Sequence, residues 1–514
     1  MRPAWKRCRT RSGASAPGWA SRTRTRARAG REPGRLRHRG AAPGRARGGP
    51  PRSRHAIRAD PADGATGIPT AATEAGHYHC LHPPARSATF RCDRHQTSRR
   101  SDVDEQGSGP GASDCPTGIA LSAFNPEFRE CPHQILNRLR AAEPVHRDRQ
   151  FDRVVLTRRA DIEAVLGDRS LGADPRKSRP GSFVRMAQIV DETYQPTMLN
   201  TDDPEHKRLR SLVAQGFNLR AVEAMRPRIA AVANSLLDGL AGRASFDLVE
   251  EFAGPLPTIV IAEMLGVDTA DQKDFKRWSD ALVMCLNPRR SPEQDAALAW
   301  SRENLGAYFR RVIGERRAQR GTDLISALVA AEEDGEKLTE QEVINTANLL
   351  LAAGNVTTTD LIGNAALCLL RHPDQMQKLR ERPELIRNAI EEVLRFDPPV
   401  ASTLRITHVE REIDGVMVAP GQTLDCVILG AGHDPAVHAD AERFDIERAD
   451  TTHSAFGGGA HFCLGAPLAR AESQIAIPLL LARFPRLRLD TDRPATHKVA
   501  PPFNGPAGLW VRTD

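Results

Sequence analysis

The sequence predicts a mainly α-helical fold with a small β region, preceded by a disordered N-terminal extension. Apolar residues recur at helical spacing over most of residues 220–395. Shorter strand-like runs lie around residues 413–429 and 487–510. The first hundred residues differ, because they are rich in Arg, Gly, Pro and Ala and have few large apolar side chains. These observations predict one helix-rich domain over residues 118–514 and a disordered extension over residues 1–117.

The net charge of +7 is the sum of a basic N-terminal part and an acidic remainder. The first 100 residues contain 23 Lys and Arg against 5 Asp and Glu, whereas the remaining 414 residues contain 49 against 60. A basic, acid-poor start is typical of a transit peptide or of an arm that binds nucleic acid. The many Pro and Gly residues there oppose the amphipathic helix that a transit peptide needs. A third interpretation is that the extension is absent from the working protein. Because the rest is acidic like an ordinary enzyme, nucleic acid is not the expected partner.

The sequence predicts no membrane segment, because no stretch approaches the ~20 apolar residues that span a bilayer. Nine cysteines without paired spacing favour a reducing compartment, and we expect a cytoplasmic protein. Histidines and cysteines cluster between His77 and His95, but their spacing matches no common zinc finger. We therefore expect no metal site in the extension.

The predicted domain opens with a helix over residues 136–145 and a strand over residues 151–157. Farther along, His206 and Arg210 are four residues apart, which places both on one face of a helix. These local patterns predict secondary structure and say nothing yet about chemistry.

Two later helices carry polar residues in their interiors. A long helix is predicted to begin at Thr339, since Thr339 and Glu342 form a capping box ahead of apolar residues at helical spacing. A shorter helix begins near Pro383 and must stop before Pro398. It places Glu392 and Arg395 on one face, where they can pair.

The loop from Phe456 to Gly465 encloses a single cysteine in glycines. The run Gly457–Gly459 removes side chains where another body must approach the backbone, and it permits positive φ angles. Apolar residues at helical spacing follow Cys463, so its sulfur would lie at a helix N-terminus, where a negative charge is favoured. Thiolate is the form of cysteine that binds metal. The loop therefore predicts one thiolate presented to a large metal cofactor.

At these residues the chain resembles the cytochrome P-450 family of haem-thiolate monooxygenases, whose signature is F-x-x-G-x-H-x-C-x-G. The matching positions are Phe456, Gly459, His461, Cys463 and Gly465. The resemblance covers the predicted domain and implies a single triangular, helix-rich domain of the soluble bacterial type. It implies haem b as the cofactor, with the Cys463 thiolate as axial iron ligand and Phe456 packed near the sulfur. The loop glycines Gly457 and Gly465 would pass close to the haem.

The resemblance also assigns roles to charged residues. Glu392 and Arg395 match the family's E-x-x-R motif, which braces the core beneath the haem, and Arg443 is expected to join that pair as a triad. Haem carries two propionates, which need cationic or hydrogen-bonding partners when buried. The residues expected to bind the propionates are His206, Arg210, Arg405 and His461.

The long helix resembles the one that crosses the distal face of the haem in this family. Gly354 would leave room for dioxygen, and Thr357 aligns with the threonine that hydrogen-bonds iron-bound oxygen. The family commonly has Asp or Glu before this threonine, whereas this chain has Val356, which cannot relay a proton. One hypothesis is that Asn355, Thr357, Thr358 and ordered water carry the relay. The alternative is that Thr357 only bonds the helix backbone and that protons come from solvent.

By the same resemblance, five residues would line the substrate pocket, namely Ala353, Val356, Val400, Leu404 and Phe503. Most are apolar, as pocket residues usually are, so we expect a largely apolar ligand. For each of them, an ordinary core position is the alternative interpretation.

The resemblance thus predicts an oxidoreductase that uses O2 to hydroxylate or epoxidise an apolar small molecule. No fused flavin or iron–sulfur domain is recognisable, so electrons are expected from a ferredoxin and its reductase. The alternatives are a haem-thiolate sensor that binds without turnover, or atypical oxidative chemistry arising from Val356.

Overall fold

The structure of the protein is a computed structural model that describes residues 115–188, 190, 194–268, 271–287, 289–333 and 338–514. The cluster between His77 and His95 lies outside these residues, as does nearly all of the predicted extension. The account below concerns the described residues alone.

The expectation of a mainly α-helical fold with a small β region is confirmed in this part of the chain. Its α-helices are Pro126–Glu130 (α1), Pro132–Ala142 (α2), Arg159–Gly167 (α3), Phe183–Gln188 (α4), Glu205–Val213 (α5), Leu219–Gly239 (α6), Pro255–Leu265 (α7), Gln272–Leu282 (α8), Pro292–Ala318 (α9), Leu324–Glu333 (α10), Glu340–Arg371 (α11), Pro373–Glu381 (α12), Ile386–Phe396 (α13), Ile428–Ala431 (α14) and Ala466–Arg483 (α15). Among the helices that the structure describes, none is long and apolar enough to cross a membrane.

The strands are short and form four small sheets. They are Val145–Asp148 (β1), Arg153–Leu156 (β2), Ser245–Asp247 (β3), Thr403–Ile406 (β4), Arg411–Ile413 (β5), Val416–Val418 (β6), Thr423–Cys426 (β7), Arg488–Leu489 (β8), Thr496–His497 (β9), Pro506–Gly508 (β10) and Trp510–Arg512 (β11). The largest sheet has the order β1-β2-β7-β4, in which β2 and β7 are parallel and the other neighbours are antiparallel. Leu404 on β4 is opposite Asp425 on β7 in this register.

Helix α11 forms the centre of the core. Its predicted capping box is present, because the Thr339 side chain accepts from the Glu342 amide and the Glu342 carboxylate accepts from the Thr339 amide. Helices α7, α8 and α15 pack around it, and nearly every residue from 358 to 370 is buried. Such all-round burial fits a helix without a solvent-facing side. The helix is thereby held rigidly along one wall of the site described below.

Several boundaries differ from the predicted ones for local reasons. Helix α2 ends at Ala142 rather than near residue 145, because Pro144 disfavours a helical conformation of the residue before it. Residues 428 and 429, at the end of the run expected to be extended, instead begin the short helix α14. A proline within a helix usually ends or kinks it, yet helix α15 continues through Pro478 to Arg483, so packing against the core overrides the lost backbone hydrogen bond.

Candidate active site

The loop that carries Cys463 is held between helices α3 and α15. The Cys463 amide donates to the Phe456 carbonyl at 2.9 Å, which closes the loop over a short 3₁₀ turn. Gly457 and Gly459 have φ angles of 68° and 64°, a region that other residues rarely adopt. A Cβ atom on Gly459 would lie 2.2 Å from the Leu166 carbonyl oxygen of α3. The glycines therefore allow the loop to rest directly on the backbone of α3.

The sulfur of Cys463 lies just before the N-terminus of α15. Burial raises the pKa of the Cys463 thiol, while the amides of Gly465 and Ala466 and the more distant Arg210 act to lower it. In the protein without its cofactor, the helix terminus alone therefore does not outweigh the effect of burial on this pKa. A bound metal ion supplies the missing positive charge, because coordination deprotonates a thiol. A single buried thiol backed by amide donors suits a soft ligand to one metal centre.

Cationic and imidazole side chains gather beside this loop. The rings of His206 and His461 lie with centroids 4.1 Å apart, and Nε2 of His206 is buried without a hydrogen-bond partner. Arg405 is almost fully buried, yet it donates only to the carbonyls of Leu404 at 2.8 Å and Gly458 at 3.3 Å. Among the described residues, no carboxylate pairs with Arg405, whereas His206 has the Asp203 carboxylate 3.2 Å from its Nδ1 atom.

The electrostatics of this group point to an anionic ligand. Burial, followed by the nearby His206 and Arg405, lowers the pKa of His461 to about 4. Burial also lowers the pKa of Arg405 from its usual value. Arg210 donates to the Phe462 carbonyl at 2.6 Å and completes the set. Two carboxylates placed here would satisfy the orphaned donors, so the residues present fit the propionates of a haem.

The buried pair that braces the cysteine loop, Glu392 with Arg395, was predicted to include a third residue, Arg443, and that prediction is wrong. Arg395 donates to both oxygens of Glu392, at 2.7 and 2.9 Å, and both side chains are fully buried. Arg443 does not join them: its side chain is 61% exposed and lies 3.5 Å from Asp445. Arg448 takes that position, with Nε 3.2 Å from Glu392. The reason is that Arg443 turns its carbonyl inward, where it accepts from Arg395, and so directs its side chain outward.

Four residues of α11 were predicted to serve the oxygen-binding side of the haem, and only one of them lines the cavity. The four are Gly354, Asn355, Thr357 and Thr358. Thr357 lines it and donates from Oγ1 to the Ala353 carbonyl at 2.7 Å. Asn355 is fully buried and accepts from the Thr359 hydroxyl, and Thr358 is buried on the same side of the helix. Side chains three or four residues apart share a helix face, whereas those one or two apart do not. Asn355 and Thr358 therefore do not line the cavity, and their part in a proton relay stays a prediction.

Gly354 and Val356 also lie away from the cavity. A Cβ atom on Gly354 would meet the Ile261 side chain at 3.1 Å, so this glycine permits close packing of α7 rather than space for a ligand. Val356 is 2% exposed and does not line the cavity, so its placement in the substrate pocket is wrong. Both corrections follow from the phase of the helix, which points Ala353 and Thr357 inward.

The cavity above the cysteine loop has a volume of about 610 Å³ and is mostly apolar. Four of the five predicted pocket residues line it, namely Ala353, Val400, Leu404 and Phe503. Val400 and Phe503 form an isolated β-bridge, which fixes the two strand ends against each other. His461 and Arg405 line the same cavity as Thr357. One continuous space therefore connects the cysteine loop to the inward face of α11.

Sequence reasoning missed two buried acids. Glu472 on α15 is 1% exposed, burial raises its pKa, and its Oε2 atom has no hydrogen-bond partner. Asp360 on α11 is fully buried and lies 2.5 Å from Lys498. In the sequence, each of these acids interrupts the apolar face of a predicted helix, and this pattern could have predicted that both are buried.

Comparison with known proteins agrees with this arrangement. A family model for cytochrome P450 matches residues 147–500. Cytochrome P450 107B1 of Saccharopolyspora erythraea is 40% identical over 386 residues, which cover 72% of this chain and 91% of that protein. The cytochrome P450 monooxygenase PikC of Streptomyces venezuelae is 40% identical over 389 residues, which cover 74% of this chain and 90% of that protein.

Solved structures give the same result. The myxobacterial cytochrome P450 CYP267B1, in complex with myristic acid, matches with a TM-score of 0.72 and 38% identity, covering 76% of this chain and 98% of that one. Ligand-free TbtJ1 matches with a TM-score of 0.68 and 37% identity, covering 76% and 98%. The chain belongs to the cytochrome P450 family, and it is a monooxygenase that binds haem b through a cysteine thiolate.

Proposed function

We propose that this P450 uses O2 to hydroxylate or epoxidise a mostly apolar small organic molecule, with electrons delivered by a ferredoxin and its reductase. The observation that carries the proposal is the continuity of the cavity. Thr357 of the distal helix and His461 of the cysteine loop line one space, together with the apolar side chains of Val400, Leu404 and Phe503. A substrate enclosed there lies between the oxygen-binding and cofactor-binding walls.

The haem, when bound, supplies the redox chemistry that activates dioxygen. The residues of this chain hold and insulate it: Cys463 is the proposed iron ligand, and His206, Arg210, Arg405 and His461 are the proposed propionate partners. Phe456 packs beside the cysteine, with the Arg470 guanidinium 4.5 Å from its ring centre. Arg470 also pairs with Glu391 at 2.7 Å, which covers the loop from outside. These contacts cover part of the loop that carries the sulfur.

Thr357 is the proposed residue for handling protons at the distal wall. Its hydroxyl now donates to the Ala353 carbonyl, and its oxygen remains free to accept from a water or a substrate hydroxyl in the cavity. The two interpretations that remain are a relay through Thr357 and water, and direct entry of solvent protons. They differ in whether the hydroxyl at this position affects coupling.

The relatives support a small organic substrate without selecting one. Their names include a 6-deoxyerythronolide B hydroxylase of Saccharopolyspora erythraea and a vitamin D(3) 25-hydroxylase of Pseudonocardia autotrophica, which are 37% and 38% identical to this chain. Phe462, next to the cysteine, is 44% exposed, and we propose that the electron donor docks on this side. The proposal would be weakened if a ferredoxin added nothing to turnover by a reductase alone.

The absorption spectrum of the reduced holoprotein with carbon monoxide tests the proposal. We expect the strongly red-shifted band of a thiolate-ligated haem in the wild type and its loss in Cys463→Ser. Cys285→Ser is the matched control, because Cys285 is also a free, half-buried cysteine but belongs to the turn Val283–Leu286 rather than to the loop. A wild type without the band, or a Cys285→Ser variant that loses it, contradicts the assignment. Apolar compounds that change the spin state would then be tested for oxygenated products.

A further inference from the structure

The cavity carries more positive charge than its partners neutralise. In the described part of the chain, the Arg and Lys residues that line it are Arg129, Arg153, Arg302, Arg310, Arg405 and Lys498, whereas Asp425 is the carboxylate that lines it. Four of these cations have a hydrogen-bonding partner among the described residues or a role already assigned. Arg153 pairs with Asp425 at 2.6 Å, and Lys498 pairs with Asp360 at 2.5 Å. Arg129 donates to a backbone carbonyl at 2.7 Å, and Arg405 belongs to the propionate set.

The two remaining cations, Arg302 and Arg310, lie on one face of helix α9. They are eight residues apart, on either side of Gly306, and all three positions line the cavity. Neither arginine makes a hydrogen bond or an ion pair with any described residue, and both side chains are exposed. By contrast, the arginines on other faces of α9 are paired: Arg311 lies 2.6 Å from Glu315, and Arg316 lies 2.8 Å from Asp323.

Gly306 leaves space between the two guanidinium groups. A Cβ atom at this position would lie 3.5 Å from an Arg310 guanidinium nitrogen, so the Arg310 side chain folds back along the helix towards Arg302. Arg302 acts electrostatically on Tyr194 and Cys285, which also line the cavity. The two cations therefore line the same stretch of the cavity wall, and their exposed guanidinium groups are accessible to a ligand.

Helix α11 presents polar groups at its N-terminal end of the same cavity. Gln341 and Asn345 line it and hydrogen-bond each other at 2.9 Å, and the Asn348 Oδ1 atom is buried without a partner. From Asn345 to Thr357 the helix rises by about 18 Å, at about 1.5 Å per residue. Over that length the lining changes from amides to Ala353 and Thr357. The cavity is thus polar and cationic at one end and apolar at the end where oxygen would be activated.

We propose that Arg302 and Arg310 bind the carboxylate of an amphipathic substrate, whose apolar body extends towards Thr357. Arginine recognises carboxylates through paired, charge-assisted hydrogen bonds, which are stronger than those between neutral groups. A carboxylate at this end also sets which carbon of the chain reaches Thr357, because the distance between the two ends is fixed by α11. The inference rests on the proposed oxygenase function and adds the class of substrate.

The test compares dodecanoic acid with methyl dodecanoate and dodecyl phosphate on the holoprotein near pH 7.5. Binding is measured by the change in spin state and, independently, by equilibrium dialysis of labelled ligand. We expect the acid to bind about tenfold or more tightly than the ester, and this preference to weaken at high salt. In the double variant Arg302→Gln, Arg310→Gln the acid and the ester should bind about equally.

Arg311→Gln is the matched control, since Arg311 is adjacent on the helix but pairs with Glu315. It should keep the preference for the acid. Equal binding of acid and ester by the wild type, a preference that survives in the double variant, or selective binding of the phosphate alone would each overturn the inference. None of these results affects the red-shifted carbon monoxide band, which tests the oxygenase function separately.

Discussion

Arg448 donates from Nε to Oε1 of Glu392 at 3.2 Å, so the buried carboxylate of α13 holds two arginines rather than one. The other nitrogens of Arg448 donate to the carbonyls of Ala439, Asp440 and Arg443. One side chain therefore fastens an irregular segment to the helix that braces the cysteine loop. The adjacent amide of Asp445 donates to the same carboxylate oxygen at 2.9 Å.

Replacing Arg448 by Met should lower the free energy of unfolding by about 2–4 kcal/mol, because it removes a charge-assisted hydrogen bond to a fully buried carboxylate and three further hydrogen bonds to carbonyls. Arg443→Met should change it by less than about 0.5 kcal/mol, since that side chain is largely in solvent. Urea denaturation followed by circular dichroism measures both. Equal losses in the two variants would contradict the assignment of Arg448 to the brace.

Replacing Thr357 by Ala should reduce the product formed per NAD(P)H consumed by about threefold or more, with hydrogen peroxide released instead, if the hydroxyl handles protons. Thr357→Ser keeps the hydroxyl and should stay near the wild type. Thr358→Ala is the control for the helix, because Thr358 is buried away from the cavity. Unchanged coupling in Thr357→Ala would leave entry of solvent protons as the explanation.

The pair of Asp360 and Lys498 should make stability depend on pH. Burial raises the pKa of Asp360 to about 6, while Lys498 and Lys276 oppose this rise and Asp280 adds to it. A carboxyl whose pKa is higher in the folded state stabilises that state when protonated, so its contribution is present at low pH and is lost as pH rises through about 6. Relative to Asp360→Asn, the wild type should lose about 1 kcal/mol of unfolding free energy between pH 5 and pH 7.

Denaturation of both proteins at several pH values measures this difference. Lys498→Met removes the nearest cation, so the loss should move to higher pH in that variant. A wild type and an Asp360→Asn variant whose stabilities run parallel from pH 5 to pH 7 would show that Asp360 titrates normally.

Replacing Arg405 by Met should act in opposite directions on the protein with and without haem. Without haem, the guanidinium is buried with carbonyl acceptors alone, so its removal should leave stability unchanged or raise it by about 1 kcal/mol. With haem, loss of a propionate partner should speed haem transfer to a scavenger protein about tenfold or more. Arg411→Met is the control, because Arg411 pairs with Asp168 at 2.6 Å. Equal transfer rates in the Arg405 variant and the wild type would remove Arg405 from the propionate set.

Short-range patterns in the sequence predicted the features that depend on neighbours in the chain. The cysteine loop, the capping box at Thr339 and the pairing of Glu392 with Arg395 each need residues within ten positions, and the structure shows the last two as expected. The helix-rich class with small sheets followed from the same periodicities. Predicted boundaries were wrong where a single residue decided the end of an element, as at Pro144, and where the extended run over residues 413–429 gave way to α14.

The features that the sequence did not reveal depend on which way each side chain points from the backbone. A sequence places Asn355 and Thr357 two residues apart, but only packing against α7 determines which of them faces the cavity. Arg443 and Arg448 are equally plausible partners for Glu392 until the path of the chain between them is known. Arg302 and Arg310 resemble surface arginines in sequence, and their common role follows from the wall that they share.

The contact of Gly459 with the Leu166 carbonyl has a consequence for how the holoprotein matures. The loop that presents Cys463 obtains its shape from helix α3, which is synthesised almost 300 residues earlier. His206 and Arg405 come from two further places along the chain. A nascent polypeptide that lacks any of these segments has no complete receptacle for the cofactor. We therefore expect haem to bind late in folding, after these distant segments of the chain have packed together.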